Sequence, residues 1–295
     1  MPTAPEPRAE SRRVRANGLE HHYLEWSAAL PSATVLLLHG YMDAAGTWDR
    51  VAPVLARSGY RVVAPDMRGF GEGPRTPAGS YYHFSDYVAD LADFVDAVVD
   101  APTLFLVGHS MGGTVATYFT GAFDGRVSKL VLCEGLGPPD NPFDVAPDRM
   151  RRWIEDVRSV RAKEKNQRIV GSFEEAFRRL LLNHPGIDPE VLRGRLPHLV
   201  ETLPDGRIKW RFDPLHKTLS PSPFYAAHYN AFAARIACPV LAVGGGPEGF
   251  HPPDEDQRLG CFQRLERHDL PGAGHMMHWT RPAELTAAIL SFIRS

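Results

Sequence analysis

The chain has 295 residues, 43% of them hydrophobic and 23% charged, enough to bury one large α/β core with or without an insertion. A formal net charge of −2, with histidines neutral, gives no electrostatic reason to expect nucleic acid or an anionic membrane as partner. Apolar runs such as Val35 to Leu38 are too short to span a bilayer, and the opening MPTAPEPRAESRR lacks the apolar centre of a secretory signal. Residues 1–11 are expected to be a mobile tail. Cys133, Cys238 and Cys261 are widely spaced and form neither a disulfide framework nor a CxxC metal pair, so a reducing cytoplasm is the expected compartment.

Short apolar runs then alternate with helical patterns, which predicts a mostly parallel sheet covered by helices. Residues 12–26 are expected to supply an antiparallel pair at the sheet edge. Thr34–Leu38, Arg61–Ala64, Thr103–Val107, Lys129–Cys133 and Pro239–Val243 read as buried strands. Over 85–99, Tyr87, Val88, Leu91, Phe94, Val95 and Val98 fall at helical spacing, leaving Asp86, Asp90, Asp93 and Asp96 as an expected solvated face. From Pro138 to Arg235 the pattern becomes charged and helical, with Asp148–Lys165 and Ser172–Asn183 as amphipathic helices. No strand ladder is evident there beyond a possible hairpin at Pro204-Asp205-Gly206. The α/β pattern resumes at Cys238 and needs the earlier half to complete its sheet, so 138–235 reads as an insertion rather than a separate domain.

Three segments carry chemistry. Gly108-His109-Ser110-Met111-Gly112 stands between a buried strand and a helical stretch. A serine on so sharp a strand-to-helix turn is strained and exposed, with helix N–H groups aimed at whatever binds there. Leu38-His39-Gly40-Tyr41 ends another buried strand, so Tyr41 and Met111 can supply two converging N–H donors for an oxyanion. His39 is assigned no proton transfer. A serine hydroxyl needs a base within hydrogen-bond reach. Among the 13 histidines, His275 stands out because Pro271-Gly272-Ala273-Gly274 places it on a late small-residue loop. His278 is its nearest rival. No HExxH or paired ligand spacing is present, so neither metal nor cofactor is implied.

Together with Asp66-Met67-Arg68-Gly69-Phe70-Gly71, similar to a DxRGxG loop, these motifs make the chain resemble the α/β-hydrolase superfamily. The resemblance covers residues 12–137 and 236–295 and implies that 138–235 is a helical cap. Glu134 to Pro139 (EGLGPP) is similar to the serine hydrolase-like subgroup. The resemblance usually places the triad acid after the strand that follows the cap. There Gly244-Gly245-Gly246-Pro247-Glu248-Gly249 offers only Glu248. The alternative is Glu134, because Leu130-Val131-Leu132-Cys133-Glu134 is similar to a dehalogenase subgroup with its acid at that strand end. A carboxylate at the mouth of a buried strand is costly unless paired, which favours Glu134.

The expected function is hydrolysis of a small-molecule ester, thioester or lactone through an acyl-serine. Serine at 110 argues against dehalogenase and epoxide-hydrolase chemistry, which needs a carboxylate nucleophile. C–C bond hydrolases and perhydrolases share the machinery, and a slow or non-catalytic receptor of the same fold is the rival class. Aromatic residues of the insertion, chiefly Trp153, Trp210 and Phe212, are candidates for an apolar substrate pocket.

Overall fold

The structure is a computed structural model that describes residues 7–28, 31, 33–163 and 169–295. Two antiparallel strands come first, β1 (Glu10–Ala16) and β2 (Leu19–Trp26). Asn17 and Gly18 join them at φ of 46° and 71°, the positive values that a two-residue hairpin of matching twist requires. Glu10 and Ser11, expected in the tail, are therefore strand, and residues 1–6 of that tail lie outside the described residues.

Alternation follows: β3 (Thr34–Leu38), α1 (Ala52–Arg57), β4 (Arg61–Pro65), α2 (Phe84–Val98), β5 (Leu104–His109), α3 (Met111–Ala122) and β6 (Lys129–Cys133). The intervening segment holds α4 (Ala146–Ala162), β7 (Ile169–Val170), α5 (Phe173–Asn183), α6 (Pro189–Leu199), β8 (Val200–Thr202), β9 (Ile208–Trp210) and α7 (Ala226–Ala233). The chain ends with β10 (Val240–Gly244), α8 (Glu255–Leu259), β11 (Leu265–Asp269), α9 (Met277–Thr280) and α10 (Pro282–Arg294).

Eight strands form one sheet in the order β1-β2-β4-β3-β5-β6-β10-β11, parallel from β4 onward. This is the α/β-hydrolase architecture expected from the motifs. Side chains alternate across it, as strand geometry demands. Leu36, Leu38, Leu106 and Leu132 pack towards α2 and α3, while Val35, Leu37, Val107 and Val131 pack towards α1 and α10. Burial on both faces explains why these strands read as unbroken apolar runs. The chain leaves β3 for β4 on one side, and β5 then pairs on the other. The carboxyl ends of β3 and β5 therefore open a crevice at a topological switch point, where ligands of such sheets bind.

Three sequence expectations need correction. Asp90 is buried, not solvated: it takes both the Nε and Nη2 of Arg68 and the Asn17 amide, which replace the water it loses. The possible hairpin at Pro204-Asp205-Gly206 forms, as β8 paired with β9, but a third strand not expected there, β7, joins it in an antiparallel sheet of order β7-β9-β8, its two residues too few to show periodicity. Its last helix, α7, packs on α3 so closely that a β-carbon on Gly121 would lie 2.4 Å from the Phe232 carbonyl, and it joins the core helices.

Two buried arginines tie the insertion down. Arg195 of α6 makes a forked pair with Asp49 beyond β3. Arg258 of α8 is fully buried, pairs with Asp254, and donates to the carbonyls of Leu136, Gly137 and Pro138, where the chain leaves the sheet. Removing such a donor leaves several acceptors unsatisfied. Arg258→Leu should lower unfolding free energy by about 3 kcal/mol in a denaturant titration. A midpoint equal to wild type would refute this anchoring.

Candidate active site

β5 delivers Ser110 at the switch point. Its backbone sits at φ 51°, ψ −118°, a region that non-glycine residues rarely occupy. The turn survives because its flanks carry no β-carbons. One on Gly108 would lie 2.5 Å from the Gly112 carbonyl oxygen, and one on Gly112 would lie 2.6 Å from the Leu38 and His39 carbonyl oxygens. Met111 is the first residue of α3, so its N–H has no intrahelical acceptor and is available to a ligand. The other expected donor, Tyr41, follows Gly40, where an added β-carbon would come 3.2 Å from Ser110 Cβ. His39 shapes this loop: its Nε2 accepts from the Met67 N–H and its Nδ1 donates to the Gly40 carbonyl.

His275 lies on the loop between β11 and α9. Its Nε2 is 3.0 Å from Ser110 Oγ and its Nδ1 is 2.7 Å from Glu134 Oε2. A carboxylate can only accept, so Nδ1 carries the proton and Nε2 is left to accept from the serine hydroxyl. Glu134 stands just beyond β6 in the left-handed region, at φ 46°, with its side chain almost wholly buried. Two further donors reach it, the N–H groups of Gly245 and Phe250, each at 2.7 Å. Glu248, the other candidate acid, is exposed on that same loop, and the carboxylate facing His275 is Glu134.

Residues 33–282 match the alpha/beta hydrolase fold family. The chain belongs to that family. A serine hydrolase-like protein of Dictyostelium discoideum is 25% identical over 91% of this chain and 77% of its own length. The sn-1-specific diacylglycerol lipase ABHD11 of Mus musculus is also 25% identical, over 96% and 88%. A solved structure of a hypothetical protein from Pseudomonas aeruginosa PAO1 superposes with a TM-score of 0.85 at 27% identity, covering 97% of this chain and all of that one.

In this α/β hydrolase a cavity of about 410 Å³ opens onto Ser110 and His275. Tyr41, Met42, Met276 and Trp279 line it from the core, and Leu180, Leu199, Trp210 and Phe212 from the insertion. Trp210 and Phe212, two of the aromatics considered in the sequence, line this cavity. Trp153 does not: α4 turns its ring onto Tyr81, at 5.2 Å between centroids, in a separate groove with Arg68 and Arg161. Sequence reasoning could not phase the helix against a partner distant in sequence. A larger, apolar groove of about 980 Å³ runs beside α2, α3 and α7 and includes none of the three polar site residues.

Met42, Leu199, Met276 and Trp279 were missed; the last two lay within four residues of His275, which was the available signal. Also missed was a buried group of three, Asp43, His109 and His278, whose ligand-type atoms lie within 4.8 Å of one another. Among the described residues it is the one set with donors suited to a metal ion. No helix among the described residues is long and apolar enough to cross a membrane. If the cavity is the binding site, Trp210→Ala should raise KM about tenfold on an apolar ester, as loss of a large buried contact surface predicts. Trp153→Ala should leave KM within about twofold of wild type, and the reverse pattern would move the site.

Proposed function

We propose that this α/β hydrolase cleaves an ester, thioester or lactone through an acyl-serine intermediate. The observation that carries this reading is the unbroken chain Glu134–His275–Ser110, with bonds of 2.7 and 3.0 Å, which reaches a cavity whose apolar walls also carry Arg179, Asn183, His184 and Lys217. His275 takes the Ser110 proton as the hydroxyl attacks the acyl carbon and returns it to the leaving group. Glu134 fixes the imidazole tautomer and stabilises the imidazolium that forms. The N–H groups of Tyr41 and Met111 receive the oxyanion. Water, deprotonated by His275 in its turn, releases the acid. The diacylglycerol lipase among its relatives is consistent with an ester substrate.

The inserted residues from Pro138 to about Tyr225 act as the cap. Their contacts favour this: the Tyr41 hydroxyl donates to the His216 carbonyl, and Leu180, Leu199, Trp210 and Phe212 form the outer wall of the cavity.

Labelling with a fluorophosphonate, followed by peptide mass mapping, should place the adduct on Ser110. Ser110→Ala should lower kcat by at least about 10⁴-fold; an active Ser110→Ala enzyme would overturn the proposal. Glu134→Gln should cost about 10³- to 10⁴-fold in kcat/KM. Glu248→Gln should cost less than about tenfold, because an exposed carboxylate acts through screened charge. Equal losses in the two variants would reopen the choice of acid.

A further inference from the structure

Three buried ionisable side chains beside the site have no part in the proposed reaction. Asp43 lies two residues beyond Tyr41 on the loop after β3, His109 directly precedes Ser110, and His278 is in α9, three residues after His275. All three are at most 3% exposed. His278 Nε2 is 2.9 Å from Asp43 Oδ2, and the N–H of Ala44 donates to Asp43 Oδ1 at 2.8 Å. His109 Nε2 is 2.8 Å from the His275 carbonyl. The rings of His109 and His278 pack with centroids 4.5 Å apart, and His109 and His275 are 4.8 Å apart.

The acceptors fix the tautomers. A carbonyl and a carboxylate both accept, so each imidazole carries its proton on Nε2. Each Nδ1 is then a bare lone pair, buried and without a partner among the described residues. Burial first, and the neighbouring histidines next, hold His109 well below the usual histidine range. Burial likewise lowers His278, although the Asp43 hydrogen bond works the other way. Burial also opposes the charge of Asp43, but the His278 hydrogen bond and nearby imidazoles outweigh it, and its carboxyl stays below the ordinary value. The group is an ionised carboxylate with two neutral imidazoles.

The three residues connect all three catalytic segments. His278 moves with the loop of the base and Asp43 with the loop of Tyr41. His109 grips the His275 main chain, while its Nδ1 edge faces Gly40, where an added β-carbon would lie 2.7 Å away. We infer that Asp43, His278 and His109 form a buried clamp that holds the oxyanion loop at its working distance from His275, as positioning residues. The clamp rests on the roles proposed for Ser110 and His275. Misplacement of a reacting group by about 1 Å costs on the order of 10²-fold in rate, so the clamp should act on kcat.

The test is kcat per Ser110 titrated with a fluorophosphonate, which removes any loss of folded enzyme from the comparison. Asp43→Ala should lower it about 10²-fold, with KM within about threefold of wild type. Asp43→Asn should recover part of the loss, because its amide can donate to Nε2 of a His278 that has switched tautomer while its oxygen still serves Ala44, the remainder being the cost of an Nδ1–H with no buried acceptor. In a His278→Ala background, Asp43→Ala should cost little more. Unchanged kcat per titrated site in folded Asp43→Ala, no recovery with Asn, or a stoichiometric metal ion on these three residues would overturn the clamp. Hydrogen exchange reads it without turnover: in His278→Gln, amides 41–45 and 273–278 should exchange faster together, and unchanged protection would overturn it. Failure of wild-type Ser110 to label would instead sink the reading of the site.

Discussion

A buried carboxylate organises this molecule. Glu134 stands just beyond the end of a sheet strand, and charge in that position is tolerated only when donors replace water. Three do so: the Gly245 and Phe250 amides from the loop after β10, and His275 from the loop after β11. Neighbouring strands can shift at their ends by more than a hydrogen bond allows. A single acceptor shared by two loops removes that freedom. The orientation of His275, and through it the environment of Ser110, follows from where this one carboxylate is seated.

The serine turn depends on the opposite kind of constraint, the absence of matter. Gly108 and Gly112 let the strand, the helix and the loop after β3 approach to contact distance, and that closeness puts the Met111 N–H and the Tyr41 segment around one hydroxyl. The strain at Ser110 is offset by main-chain hydrogen bonds, since Gly113 and Thr114 N–H groups return to the Ser110 carbonyl and the Cys133 carbonyl accepts its N–H. The insertion then walls the opening. It is attached both by an apolar cluster shared with the core, in which Leu192, Leu196, Leu199 and Leu215 take part, and by polar contacts such as Arg195 on Asp49, Tyr82 on Asp213 and Tyr87 on His216.

Much of this was legible in one dimension. The parallel strands are apolar runs because both faces are buried, and the motif around Ser110 is local, with strand, turn and helix within a dozen residues. Glu134 was legible for a different reason: a charge abutting Leu130-Val131-Leu132-Cys133 has no inexpensive explanation. Asp90 obeyed the same physics, yet looked like one of four solvent-facing aspartates at helical spacing. Only the hairpin turn carrying Asn17 and the loop carrying Arg68 made it a buried ion-pair partner. Trp153 failed likewise, because an amphipathic helix shows which residues are apolar but not which neighbour they meet.

What the sequence by itself determined is the set of local geometries: the strand and helix order, the strained serine, the loop that bears His275, and a short list of carboxylates. These follow from nearest-neighbour sterics, side-chain period and the cost of buried charge, all readable within a short window. Which carboxylate reaches His275, which aromatics face Ser110, and that Asp43, His109 and His278 meet at all were decided by the tertiary structure. The residues in each of those meetings are separated by up to 235 positions, as Asp43 and His278 are. Hydrogen bonds and ring contacts act over a few ångströms, so only the path of the folded chain can say which of thirteen histidines and thirty-five acids come within that range.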